Sequence, residues 1–321
     1  MKKINFIKDS KVISDLKEVG IFKKKNINVY SNKTRDRNIK VLRDEKSGVI
    51  FIPRYRTKIN DHYKKKNEGL FLLSHKNNKD NPKKKITKGQ GGFHARPKGY
   101  SAKEIGIMGL NDEQRRFNYI KSKIKNKTLL DFGCGAGNFL SAAKKSAKKV
   151  AGLEVRKQYI DLLSDQFKMY DSVETVDEKF DFITLFHVLE HIPNQIETLK
   201  NLKKILKKNG KLIIEVPHAN DVLLNLKTFR NFTLWSEHLV LHTKFSLSKY
   251  LNVAGYKLDK FMFVQRYNFL NHFGWFIDGK PGGHKTIQNR YNKDIINYYD
   301  KFIIQKEISD TLFVEASIKK A

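Results

Sequence analysis

Asp131-Phe132-Gly133-Cys134-Gly135-Ala136-Gly137-Asn138 is the stretch on which the fold turns. It lies between a short apolar run, Thr128 to Phe132, and an amphipathic segment, Asn138 to Lys148. Glycines at 133, 135 and 137 let the backbone turn sharply and come within contact distance of a ligand. A helix that starts there offers its free N–H groups to a carboxylate or phosphate. The dinucleotide fingerprint wants a glycine at position 138, where this chain has Asn, so a nicotinamide or flavin reading loses ground. Glu154 ends the next apolar run, Lys149 to Glu154, where a carboxylate can accept hydrogen bonds from both hydroxyls of an unphosphorylated ribose.

Downstream, strand and helix patterns alternate. Tyr159 to Phe167 reads as a helix, Ser172 to Val176 as a weak strand, and Phe180 to Phe186 as a buried strand. Ile196 to Leu206 is an amphipathic helix closed by Asn209-Gly210, and Lys211 to Val216 is a strand ending at Pro217. Further strands are expected at Tyr256 to Val264 and Asp310 to Ile318. Repeated βα units imply a parallel sheet with helices on both faces, whose strand ends line one ligand-binding rim.

Upstream, Ile39 to Arg43 and Val49 to Ile52 flank five polar residues ending in Gly48 and predict a hairpin over 38–52. Residues 53–100 are polar and Lys-rich, with Gly89-Gln-Gly-Gly92, and read as linker and loop. Asn111-Asp-Glu-Gln114 has capping-box spacing, and Phe117, Ile120 and Ile124 carry the helix that follows. The division expected is a basic N-terminal region, 1–110, and a second domain, 111–321.

The chain of 321 residues carries a net charge of +31, of which +23 falls in residues 1–127 and +8 in the remainder. Runs such as Lys64-Lys65-Lys66 are lysine rather than arginine, which suits a solvated surface better than bidentate phosphate or base recognition. Cys134 is the single cysteine, which excludes an internal disulfide and a multi-cysteine zinc site. Neither an uninterrupted signal-peptide core nor a membrane-length apolar run is present. A cytoplasmic setting is expected, with peripheral membrane contact left open.

With DFGCGAG (131–137), Glu154, FDFITLFHVLEHIP (180–193) and GKLIIEVP (210–217), the chain resembles the class I S-adenosylmethionine-dependent methyltransferases over roughly residues 112–260. The resemblance implies a Rossmann-like α/β fold with a doubly wound seven-stranded sheet, an N-terminal β-hairpin region and an insertion, 266–305, before the last strand. It implies S-adenosyl-L-methionine as cofactor, held by Asp131, Gly133, Cys134, Gly135, Gly137, Glu154, Phe186 and His187. Asp131 would lie near the methionine amino group and Glu154 at the ribose, with the adenine contact near Val173 to Val176. Glu190 and His191 would start the helix behind the cleft. A metal on the His187 to His191 spacing is not required by the family pattern, and none is expected.

Glu237-His238 followed by Phe245-Ser246 is similar to a segment of methyltransferases that act on nucleotide-linked sugars, which makes His238 and Glu237 the catalytic candidates and His242 the nearest substitute. The Tyr-His that precedes this segment in sugar C-methylating members is Trp235-Ser236 here. Related enzymes carry a cysteine-ligated zinc ribbon where the hairpin lies, and the hairpin has no cysteine. Asn271-His272, Trp275 and Lys280-Pro-Gly-Gly-His284-Lys285 suit either a lid over an anionic substrate or a surface loop. A phosphate-bearing sugar, sugar nucleotide or cell-envelope glycan precursor is the expected substrate. An RNA methyltransferase acting on ribose or base carbon, and a non-catalytic cofactor-binding protein, remain as alternatives.

Overall fold

The computed structural model describes residues 10–53, 112–281, 283 and 293–320. The expected linker, the capping residue Asn111 and His284-Lys285 lie outside them. Eleven strands are named here: β1 Ile27–Ser31, β2 Val41–Asp44, β3 Ile50–Phe51, β4 Thr128–Phe132, β5 Lys149–Leu153, β6 Lys168–Tyr170, β7 Phe180–Phe186, β8 Leu206–Pro217, β9 Val240–Leu241, β10 Tyr256–Val264 and β11 Thr311–Ile318. A seven-stranded mixed sheet runs β6-β5-β4-β7-β8-β11-β10, the Rossmann-like arrangement expected. Contacts divide the chain into two compact units, residues 1–59 with 183–321, and residues 60–182.

In the unit 60–182, β4 and β5 pair in parallel with Asp131 opposite Gly152, and β5 pairs in parallel with β6. Helix Asn138–Ala143 buries Phe139, Leu140 and Ala143. It ends well before Lys148, because the lysines after Ala143 offer no apolar side chain to continue the buried face. Gly152 makes that packing possible: a Cβ there would meet Cys134 Sγ at 2.8 Å and Leu140 Cδ1 at 2.9 Å. The third strand is Lys168–Tyr170 rather than 172–176. Thr175 instead donates its hydroxyl to the Ser172 carbonyl at 2.9 Å and folds that segment into a turn.

The other unit holds two sheet portions. β11 runs antiparallel to both β8 and β10. β8 begins directly at Leu206, which is already extended at φ −88° and ψ 135°, so Asn209-Gly210 lie inside the strand instead of closing the helix Gln195–Ile205. The hairpin is present, with Leu42 opposite Phe51, and belongs to a four-stranded sheet β1-β2-β3-β9. Its turn is tied by Asp44 Oδ1, which accepts the Ser47 amide at 2.7 Å and hydroxyl at 2.8 Å. Val41, Ile50 and Ile52 share one apolar core with Leu223, Phe229, Leu241 and Trp275. Hairpin and C-terminal half therefore bury the same surface.

Among the described residues, the insertion 266–305 carries the helices Phe269–Asp278 and Lys293–Gln305, where a loop or lid was expected. Asn271, His272 and Trp275 are buried, and Trp275 packs edge-on to Phe229 with ring centroids 5.0 Å apart. Asp310 Oδ2 anchors the root of the insertion by accepting the amides of Arg266 and Tyr267.

Helix Lys11–Glu18 packs on helix Gln195–Ile205 through a buried carboxylate: Asp15 Oδ2 accepts the Ile196 amide at 3.1 Å. Burial lifts the Asp15 pKa from 3.8 to about 6, against the hydrogen bonds from Ile196 and Gln195. A raised carboxyl pKa gives a stability contribution that is full below the unfolded value and lost as pH rises through the folded one. Over two pKa units the loss is about 3 kcal/mol. Denaturant unfolding between pH 4 and pH 7 is expected to show this fall in the native chain, and the Asp15→Asn variant to lack it. Parallel curves for the two proteins would refute the assignment.

Candidate functional site

The unit 60–182 brings together the first group of expected residues. Gly133, Gly135 and Gly137 all have positive φ, at 73°, 52° and 76°. Gly137 is the N-cap of helix Asn138–Ala143, and a Cβ on it would meet Leu163 Cδ2 at 2.6 Å. The loop is held to the end of β5 by three contacts: Gly133 and Cys134 donate to the Leu153 carbonyl, and Gly135 donates to Glu154 Oε2 at 3.0 Å. Glu154 is 2% exposed, and its Oε1 accepts the Arg156 amide at 3.0 Å and Nε at 3.4 Å. Each carboxylate oxygen has two acceptor positions. Oε2 therefore keeps one for a ligand hydroxyl, and Oε1 gains one only if the long Arg156 contact is released.

Asp131 is buried, and Glu113, from the helix over 112–120, lies in its field. Burial pushes the Glu113 carboxyl up to about 8, opposed by Arg116 and reinforced by Asp131 and Asp112. Its Oε2 is buried without a hydrogen-bond partner among the described residues. Two neighbouring carboxyls, one of them with an unpartnered oxygen, are a donor set suited to an ammonium or sulfonium cation. Glu113 escaped the sequence reading because its capping-box position accounts for it as a helix residue. Cys134 is a poor nucleophile: it is buried, and that burial raises its thiol pKa, with Asp131 and Glu154 adding to the shift.

The other unit gathers the second group. Phe186 ends β7 and stacks on Phe313 at 6.4 Å. His187 follows with φ 56°, a left-handed conformation that non-glycine residues adopt at some cost. Its amide donates to the Glu215 carbonyl at 2.8 Å, its Nε2 lies 3.2 Å from Glu215 Oε1, and its Nδ1 lies 3.4 Å from Glu190 Oε1. Glu190 and Glu215 are 1% and 0% exposed. Burial opposes the Glu190 charge, but His187 and His191 outweigh it and hold the carboxyl below the usual range. Burial lowers the His191 pKa, against the opposing pull of Glu190. Glu190 and His191 were expected to start a helix; they lie in a single 3₁₀ turn, Leu189–His191.

Glu237 and His238 meet this group. His191 Nδ1 donates to the Glu237 carbonyl at 3.1 Å, and the rings of His191 and His238 are edge to face with centroids 5.0 Å apart. Glu237 is 5% exposed, whereas His238 is partly open to solvent. The segment is braced on both flanks. Ser236 donates its amide and hydroxyl to Asp36 at 2.9 and 2.6 Å, and the Arg35 guanidinium lies 4.5 Å from the rings of both Phe232 and Trp235. On the other side, Val240 and Leu241 pair with Phe51 and Ile50 of the hairpin. Trp235-Ser236, the departure from the sugar C-methylating pattern, is thus used to dock the N-terminal segment.

His242 is not the substitute base the sequence suggested. It is wholly buried, its Nε2 donates to Gln195 Oε1 at 2.7 Å, and its Nδ1 accepts from Ser246 at 3.0 Å. Burial lowers its pKa to about 3, leaving a satisfied neutral ring. Glu215 was missed although a sequence signal existed, since it is the one charge inside the apolar run LIIEVP.

A family profile described as "Methyltransferase domain" matches residues 110–260. Among curated proteins, the chain is 31% identical over 118 residues to "Ubiquinone biosynthesis O-methyltransferase" of Coxiella burnetii, covering 33% of this chain and 50% of that protein. It is 27% identical to the protein of the same name from Haemophilus ducreyi, covering 39% and 59%. The chain therefore spans about half the length of the curated relatives it matches. A solved S-adenosylmethionine-dependent methyltransferase from Archaeoglobus fulgidus aligns with TM-score 0.46 and 20% identity, over 65% of this chain and 94% of that one.

Gly137→Ala places a side chain in the left-handed region and against Leu163, and is expected to cost about 1–3 kcal/mol in unfolding free energy. An unchanged denaturation midpoint would show that the loop tolerates a Cβ. Native Cys134 should resist a thiol reagent at pH 8 and react on unfolding; rapid labelling of the folded chain would contradict its burial.

Proposed function

We propose, from the premise that residues 110–260 belong to the class I S-adenosylmethionine-dependent methyltransferase family, that the chain transfers a methyl group to an oxygen of a small anionic acceptor. The observation that carries the reading is the loop 133–137 tied to Glu154, beside the buried Asp131 and the orphaned oxygen of Glu113. S-adenosyl-L-methionine supplies an electrophilic methyl on a sulfonium. The glycine loop would pass against the methionine portion, Asp131 and Glu113 would receive its ammonium, and Oε2 of Glu154 would accept a ribose hydroxyl.

Displacement at the methyl needs an aligned acceptor and somewhere for its proton to go. His238 is proposed as that proton acceptor, because its imidazole is partly exposed and its segment is braced by Asp36 and the hairpin. Glu237 contributes through its carbonyl, which orients His191. An oxygen acceptor is supported by the names of the matched relatives. An anionic one is supported by a cleft of about 520 Å³ lined by Tyr30, Lys33, Lys227 and Arg230. A sugar nucleotide or lipid-linked glycan precursor has that chemistry. Intermediates of ubiquinone biosynthesis form the second substrate class, on the strength of the relatives' names. Arginine is sparse and no RNA-binding module is legible, which weighs against RNA.

Calorimetry with S-adenosyl-L-methionine should show saturable 1:1 binding to the native chain and at least tenfold weaker binding to Glu154→Ala. Absence of binding to the native chain would overturn the cofactor assignment. A gain of 14 Da, one CH₂, in a panel of nucleotide sugars, glycolipids and ubiquinone intermediates would identify the acceptor. With that acceptor, His238→Ala should lower kcat about 10²-fold or more and leave cofactor affinity unchanged; full turnover would remove His238 from the mechanism.

A further inference from the structure

Glu190, His191 and His238 each present one ligand atom, and the three atoms lie within 4.8 Å of one another. Glu190 is 1% exposed, yet neither of its carboxylate oxygens has a hydrogen-bond partner among the described residues. Among the described residues, imidazoles lie beside it: His187 Nδ1 at 3.4 Å and His191 Nε2 at 3.9 Å, both from Oε1. A buried carboxylate with unused acceptor positions and imidazole neighbours is set up for a cation held by mixed nitrogen and oxygen donors.

The tautomer of His191 supports the same reading. Its Nδ1 carries the proton donated to the Glu237 carbonyl, so in the neutral ring Nε2 carries the lone pair, on the side of Glu190. Metal-bound histidines characteristically donate their second nitrogen in this way, which fixes ring orientation and tautomer. His238 comes from a different segment, and its position is set independently by the Ser236 to Asp36 contacts and by β9 on β3. Bonds of about 2.0–2.1 Å require the ligand atoms to draw together by roughly an ångström, within the reach of side-chain rotation.

We propose that Glu190, His191 and His238 form a binding site for one divalent transition-metal ion of the zinc or cobalt type. Two imidazoles and one carboxylate favour such an ion over magnesium or calcium, which prefer all-oxygen cages. Three protein ligands leave a coordination position open, and partial exposure of His238 puts it within reach of solvent or an oxygen ligand. With an ion there, His238 would be a ligand instead of the proton acceptor, and the ion would supply the acidity that an acceptor hydroxyl needs. The inference goes beyond the methyltransferase reading, because ion binding is measured without cofactor or acceptor.

The test is titration of the chelator-treated full chain with Co²⁺, followed by visible absorption and by metal analysis after desalting. One Co²⁺ per chain is expected, with the intense d–d bands of low coordination, and Zn²⁺ should displace it. His238→Ala and Glu190→Gln should each weaken binding at least tenfold. Binding that is the same in the native chain and in His238→Ala, or no saturable binding to the native chain, overturns the site. Should Glu190→Gln fail to fold by circular dichroism, His238→Ala decides, since a partly exposed ring can be truncated without opening the core. Loss of methyl transfer with intact Co²⁺ binding would leave this site standing and strike only the function above.

Discussion

Everything around the second group of residues answers to one constraint: the carboxylate of Glu190 is buried, and a buried charge persists only where neighbours compensate it. His187 is forced into a left-handed conformation at the end of β7, and its two ring nitrogens face Glu190 and Glu215. His191 is oriented by the Glu237 carbonyl, and Leu239 donates its amide to the Glu190 carbonyl at 2.7 Å. The segment carrying Glu237 and His238 is therefore sewn to the turn after β7 at both backbone and side-chain level. Strain at His187 is the cost of placing an imidazole where the charge requires one.

That constraint also gives the N-terminal residues a purpose. The hairpin has no cysteines and is held by apolar burial and by the Asp44 to Ser47 turn. Its third strand pairs with β9, Asp36 receives Ser236, and Thr243 donates to the Ser47 carbonyl at 2.9 Å. A mobile Glu237-His238 segment could not hold an imidazole in one place. Splinting by two separate N-terminal elements makes it rigid, and rigid support is what a proton acceptor or metal ligand requires. The charge excess of residues 1–127 is then a separate matter from this splint, which works through Asp36, Arg35 and backbone pairing.

Sequence reading succeeded wherever a local pattern carried the information. The strand into DFGCGAG, the buried β7, the half-exposed β10 and the hairpin all have short-range signatures, either apolar runs or glycines with positive φ. It failed where the determinant is long-range. β9 is a two-residue strand whose partner β3 is distant in the chain, and the helix Phe269–Asp278 is fixed by Trp275 against Phe229 and Phe232. His242 looked equivalent to His238 in sequence. Only Gln195 and Ser246, neither adjacent to it in sequence, show that both its nitrogens are engaged.

The replacement of Tyr-His by Trp235-Ser236 bears on the chemistry as well as on the packing. Carbon methylation needs a base able to generate a carbanion equivalent, whereas oxygen methylation needs only removal of a mildly acidic proton. Here the positions that would carry the first task are occupied by a ring under the Arg35 guanidinium and a hydroxyl 2.6 Å from Asp36. Both are consumed in docking the N-terminal segment. What the segment still offers is His238 beside His191 and Glu190, a group better matched to holding one proton or one ion than to carbon acid chemistry. The same two residues that make the splint are thus in keeping with the oxygen acceptor proposed above.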